Sequence, residues 1–217
     1  MPEKRSKKNA KRPVRRALQS RSKSTVDAIV KAAARILAEG GWPALNTNAI
    51  AARAGVSIGS VYEYFPDKQA ILNVIVDRHL TAGEAKLAEA ASALSSGKDA
   101  DDVVEAVVSG FIQLHQDDPR LHRALSSEVP ISPAQRRRIE ALRSKIVTVV
   151  ASALSEYVDG AELKATLLVE TADALAHRWV VDKVGLPVSA STMASETSKM
   201  LKRYVSAEGQ TSWVQPG

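Results

Sequence analysis

The tightest constraint on this chain is one turn, Ala54-Gly55-Val56-Ser57, set between two short runs with helical spacing. Ile50, Ala51 and Ala54 form a small apolar face on the first run. Thr47 is placed to cap it by accepting a free N–H near its start. Gly55 stands where a helix closes in a left-handed residue, a conformation nearly free for glycine and costly for others. Val56 plugs the corner, and Ser57 can cap a second helix, Ile58 to Phe65. That helix stops at Pro66, which has no N–H to extend the ladder. Two short helices about a tight turn make a helix-turn-helix, a unit that sets its second helix in a DNA major groove.

Details of the stretch favour a DNA contact over a plain helical corner. Gly59 and Ser60 leave little bulk at the start of the second helix, so its backbone can approach a phosphate or base edge closely. A core would need only Val61 and Phe65 from this helix, yet it also carries Tyr62 and Tyr64. Lys68 opens the next helix, with Asp67 as its cap, and is well placed to meet a phosphate. The expected DNA-contacting set is Thr47, Ser57, Ile58, Gly59, Ser60, Tyr62, Tyr64 and Lys68. The competing reading is a structural αα-corner with two surface tyrosines.

The run from Ser24 to Lys68, with AAARILAEGGW, IAARAGVSIGSVYEYF and DK, resembles the N-terminal domain of the TetR/AcrR family of transcriptional regulators. The strong match covers roughly a fifth of the chain. One departure is Asn46-Thr47-Asn48, where the family often carries paired threonines or serines. The resemblance implies a homodimeric, ligand-responsive regulator with a ligand cavity among helices between residues 100 and 181.

At 217 residues the chain can bury a sizeable core in one or two domains. It has no cysteine, which excludes a disulfide framework and thiolate metal sites. No apolar run reaches membrane-spanning length and no secretory leader is evident, so the expectation is a cytoplasmic protein without a membrane partner. Residues 1–23 hold ten Lys or Arg against Glu3, a net +9. The remaining 20 Lys or Arg face 23 Asp or Glu, a net −3. The positive charge is therefore concentrated in a tail. It is read as a disordered basic arm that follows phosphates beside the helix-turn-helix, or alternatively as a solvated tail.

No strand pattern or repeat is visible, so the expected class is all-α. A three-helix DNA-binding domain at 24–70 precedes a helical ligand-binding and dimerisation bundle at 71–207, with a loose tail at 208–217. Ser24 and Asp27 resemble a capping box for the first helix, which Gly40-Gly41 ends. Trp42 is read as a wedge closing the three-helix core. Loops are expected at Ser95 to Asp99, Asp117 to Pro119, Val129 to Pro133, Asp159-Gly160 and Gly185 to Pro187. Arg136-Arg137-Arg138 reads as a solvated first turn. Residues 161–184 read as a helix apolar on two sides: Leu163, Leu167, Ala174 and Val181 on one, Leu168, Leu175 and Trp179 on the other. One side should meet the core and the other a second copy.

Catalytic motifs are absent: no phosphate-binding glycine loop, no Gly-x-Ser-x-Gly elbow and no His-Glu-x-x-His. No catalytic residue, cofactor or metal is therefore expected. His79, His115, His122 and His177 lie on separate helices, which favours pocket or surface roles over a metal site. The expected ligand lining is Phe111, His115, His122, Asp173, His177 and Trp179. The reading is a DNA-binding regulator, a homodimeric repressor that binds a palindromic operator and answers to a small-molecule effector. The alternatives are a helical metal- or small-molecule-dependent enzyme and a nonspecific basic DNA-packaging protein.

Overall fold

The computed structural model describes residues 12–94, 99–183 and 188–207. Among these the chain is all helical. Part of the basic arm (1–11), most of the Ser95 loop, Gly185 to Pro187 and the tail from 208 lie outside the described residues. The chain forms two compact units that divide between Ile75 and Val76.

In the first unit, α1 spans Arg12–Ala44, interrupted at Gly41, which takes φ 67°. The helix therefore starts well before Ser24, so residues 12–23 are helical and not a disordered arm. Ala17, Leu18, Gln19 and the basic residues around them are good helix formers, and charge alone did not outweigh that propensity. α2 spans Thr47–Ala54 and α3 spans Ile58–Tyr64. Ile29, Ala33 and Leu37 of α1 pack with Leu45, Ile50, Val61, Phe65, Ile71 and Leu72 in one buried core. The α2 cap is Asn46, whose side chain accepts from the Ala49 N–H at 2.9 Å, and not Thr47. An amide oxygen one residue earlier reaches the free N–H, and caps of this kind are worth about 1 kcal/mol. Gly55 is left-handed at φ 69°, its N–H bonds Ala52 O, and the Val56 N–H bonds Ala51 O. This paired closure satisfies carbonyls that α2 would otherwise leave open.

The second unit takes in most of α4 (Lys68–Leu94), then α5 (Ala100–Gln116), α6 (Pro119–Ser127) and α7 (Pro133–Leu154). It closes with α8 (Ala161–Ala176), a π-helical turn at His177–Val181 and α9 (Ala190–Ser206). α5 is central, touching α6, α7, α8, α9 and the π turn. Its buried Val103, Val104, Val108 and Ile112 meet Val150, Leu154, Leu168, Val169, Leu201 and Val205. Breaks fall where side chains can cap: Asp118 opens α6 ahead of Pro119, and Ser132 with Gln135 forms a full capping box for α7. Arg138 departs from the expected solvated turn. It bonds both carboxylate oxygens of Glu84 on α4, at 2.9 and 2.8 Å, so the first turn of α7 is pinned to α4.

Helix α8 buries Ala165, Leu168, Val169, Ala172 and Ala176. Leu163 and Leu167 remain 49% and 42% exposed, as do Met200 and Tyr204 of α9 at 49% and 38%. Val181, expected beside Leu163 and Leu167, is instead buried. The π turn explains this: the Asp182 N–H bonds His177 O, five residues back, and the extra residue in the turn rotates Val181 inward.

Candidate DNA interface and ligand cavity

The first candidate surface is built on α3. Ser57 caps it, its Oγ accepting from the Ser60 N–H at 3.0 Å and lying 2.9 Å from Ser60 Oγ. Val61 and Phe65 point into the core, which leaves Ser57, Ile58, Gly59 and Tyr62 exposed together. A Cβ added at Gly59 would meet only Ser57 Oγ, at the ordinary contact distance of 3.7 Å. Glycine inside a helix costs roughly 0.5–1 kcal/mol relative to alanine, and nothing within the fold requires it at this position. Thr47 and Tyr62 share a hydroxyl contact of 3.2 Å, which joins the start of α2 to the exposed side of α3.

Two expected contact residues are also engaged within the protein. Tyr64 is half-buried, with its hydroxyl 3.1 Å from Ser22 of α1. Lys68 donates to Leu45 O at 3.1 Å, and its ammonium sits 4.1 Å from the centre of the Trp42 ring. Trp42 thus serves as a platform for a cation at the corner between α1 and α2. An ammonium has three donors, and the Leu45 carbonyl takes one of those on Lys68. Asp67 caps α4 through the Ala70 N–H at 2.8 Å.

The second candidate site is a cavity of about 630 Å³ inside the second unit, lined from α4, α5, α6, α7, α8 and the π turn. Of the expected lining, Phe111, His115, His122, Asp173 and His177 are all present. Trp179 is not. Two residues beyond His177, it falls on the other side of its turn and is half-buried elsewhere. Arg143, Arg178 and Asp182 were missed by sequence reasoning and also line the cavity, as do Glu170 and His79, the latter one of the four histidines expected in pocket or surface roles. A smaller, largely apolar cavity of about 270 Å³ shares Gly83, Phe111, Leu114 and Ile146 with it.

All four histidines of the chain converge here. His79 Nε2 and His122 Nδ1 are 3.2 Å apart, and the His115 and His122 ring centres are 4.5 Å apart. Burial, with the neighbouring His177 second, pushes His115 down to about 4. Burial, then His115, His79 and His177, pushes His122 down to about 3. Both imidazoles are therefore neutral near pH 7. Asp173 is raised by burial against the opposing pull of Arg143, whose Nη2 lies 3.3 Å from it. Arg143 Nη1 also donates to Glu170 at 2.5 Å. The cavity thus joins an aliphatic wall to an imidazole cluster ringed by charge, in which His115 and His122 are neutral.

Residues 29–75 match the profile of bacterial regulatory proteins of the tetR family. Residues 99–204 match the tetracyclin repressor-like C-terminal domain. The chain is a TetR-family transcriptional regulator and not an enzyme. No curated protein matches the sequence. Solved structures share the fold of this regulator at low identity. A TetR-family regulator from Mesorhizobium loti is 16% identical with a TM-score of 0.67, covering 85% of this chain and 96% of its own. NalD, the secondary repressor of the MexAB-OprM efflux pump in Pseudomonas aeruginosa, is 17% identical at 0.66, with 85% and 96% covered. FadR from Bacillus subtilis, in complex with stearoyl-CoA, is 20% identical at 0.60, with 83% and 97% covered. Among the described residues of this TetR-family chain, no helix is long and apolar enough to cross a membrane.

Proposed function

We propose that the protein is a cytoplasmic, homodimeric repressor that binds a palindromic operator through the helix-turn-helix at 47–65. A small-molecule effector releases it by entering the cavity of a ligand-binding and dimerisation domain at 71–207. The observation that carries the DNA reading is the exposed Ile58–Gly59–Tyr62 surface of α3, which the core does not use. One recognition helix gives too little discrimination against genomic competition, so two half-sites are needed. The joined apolar and polar cavities favour an aliphatic or mixed effector, and the stearoyl-CoA bound by the Bacillus subtilis regulator is of that kind. Helix α4 continues from the DNA-binding segment into the effector-binding one and offers a path for the switch. To take operator occupancy from nearly full to nearly empty, the effector must prefer the released state by about 5.5 kcal/mol.

Footprinting of the protein on its own upstream region tests this reading, with a discrete two-fold site as the expected result. Uniform protection along the DNA would favour a packaging protein instead. Once an effector is found by mass spectrometry of the natively purified protein, operator affinity should fall when it is added. Equal affinities would leave a DNA-binding protein without a switch.

The basic segment makes a separate expectation. Deleting residues 1–11 removes five of the ten N-terminal cations and spares α1 and the Ser22–Tyr64 contact. Binding to all sequences should weaken alike, and the slope of log K against log salt should shrink by about 0.9 for each phosphate that is no longer neutralised. An unchanged slope would make the segment a bystander.

A further inference from the structure

The chain has four histidines and no cysteine, so this cavity holds every soft or borderline side-chain donor other than methionine that it owns. His115 comes from α5, His122 from α6 and His177 from the π turn, and ligand atoms from all three lie within 4.8 Å of one another. The His115 and His122 rings lie at 34° to each other, while His177 stands edge-on to His115 at 89° and is tilted by 58° to His122. His115 is 1% exposed, and among the described residues its ring has only the Phe111 backbone and the Asp173 carboxylate as polar neighbours outside the histidine cluster.

The carboxylate of Asp173 lies 3.3 Å from His115 Nε2. Two ligands of one tetrahedral ion, at bond lengths of about 2.0–2.1 Å, are separated by about 3.3 Å. His79 bonds His122 Nδ1, which leaves Nε2 of His122 as its outward donor. A second residue that fixes ring orientation in this way is typical of metal-ligating histidines. The π turn contributes too, because it sets His177 and Asp182 at the cavity wall, and such turns recur at functional sites. Three lining carboxylates, Glu170, Asp173 and Asp182, outnumber the two guanidinium groups, Arg143 and Arg178.

We propose that His115, His122 and His177, with Asp173 as the fourth ligand, bind one divalent transition-metal ion, of which Zn²⁺ is the best match. Imidazole with carboxylate selects zinc and its neighbours over Mg²⁺ or Ca²⁺, which take all-oxygen sites. Closing the three nitrogens onto one ion requires ring movements of about an ångström, within reach of small side-chain rotations. His79 is a positioning residue, acting through His122.

Co²⁺ titration of the full-length, tag-free, chelator-stripped protein tests this directly. The expected result is one ion per chain with the intense visible absorption of tetrahedral Co²⁺, bleached when Zn²⁺ displaces it. His122→Phe and His177→Phe should each weaken Zn²⁺ binding by more than about 100-fold. His79→Phe should cost about 10–100-fold, the range for a supporting residue. Circular dichroism of each variant checks that it folds, and the wild-type spectrum decides even where a variant does not. A wild-type protein that stays colourless with Co²⁺, or a folded His177→Phe that binds as before, overturns the proposal. Because no DNA is present, that failure would not touch the regulator reading, and a failed footprint would not touch the ion.

Discussion

Gly59→Leu is expected to leave the fold at least as stable as it is now and to abolish specific operator binding. In the folded chain the new side chain meets little, since even its Cβ would only reach ordinary contact with Ser57 Oγ. Removing a helical glycine returns roughly 0.5–1 kcal/mol, so the melting temperature should hold or rise. On DNA the balance reverses, because the added bulk stands on the exposed side of α3 where the helix would enter the groove. Tyr62→Ala is the companion: Tyr62 is 54% exposed, and among the described residues its hydroxyl touches the Thr47 hydroxyl alone. Removing one interaction in the groove costs about 1–3 kcal/mol per half-site, and a dimer suffers it twice. Binding measured by fluorescence anisotropy should therefore drop toward the nonspecific level for Gly59→Leu, and by about 30-fold or more for Tyr62→Ala. Unchanged affinity in both would remove α3 from the interface. Lys68→Ala is a poorer probe, because it also strips a bond from Leu45 O and a cation from the Trp42 ring.

The helix-turn-helix could be read from sequence because its determinants are local. Gly55 needs a left-handed φ, Ser57 reaches an N–H three residues on, and Pro66 stops a ladder: each acts within one turn. What was missed depends on neighbours remote in sequence or on competition between equals. Asn46 and Thr47 are both good caps, and the backbone chose the amide, freeing the Thr47 hydroxyl for Tyr62. The Lys68 ammonium turned to a carbonyl 23 residues earlier, which no pattern within α4 announces. The early start of α1 was hidden because ten cations suggested a solvated arm while the helix formers among them supported the opposite.

The cavity shows the same division. Phe111 and His115 were legible as one face of α5, four residues apart, and Asp173 and His177 as one face of α8 running into the π turn. That four histidines on four elements share one space is a property of the packing around α5. Their spacing, 36, 7 and 55 residues, carries no ligand signature. The π turn was not legible, since HRWVV has no residue that demands five-residue bonding, and it moved Val181 from the outer face to the core.

Removal of Val181 leaves the outer face of the second unit to Leu163 and Leu167 on α8 with Met200 and Tyr204 on α9, and it sharpens the last prediction. The two helices are tied where Lys164 Nζ donates to Val205 O at 2.6 Å and to Ala207 O at 3.1 Å, which satisfies carbonyls at the end of α9. Leu163→Glu with Leu167→Glu should therefore fold normally, since both side chains are exposed in the single chain and surface changes usually stay within about 0.5 kcal/mol. In a two-fold interface the same patch meets its copy, so two glutamates per chain place four like charges at one seam. Burying an unpaired charge costs several kcal/mol, which no interface of ordinary size can absorb four times. Sedimentation at micromolar concentration should show a dimer for the wild type and a monomer for the double variant. Operator binding should fall with it, from the specific range of about 10⁻⁸–10⁻¹¹ M toward the nonspecific range of about 10⁻⁴–10⁻⁶ M. A double variant that remains dimeric would place the interface elsewhere. One that is monomeric yet binds the operator as tightly would show that a single half-site suffices.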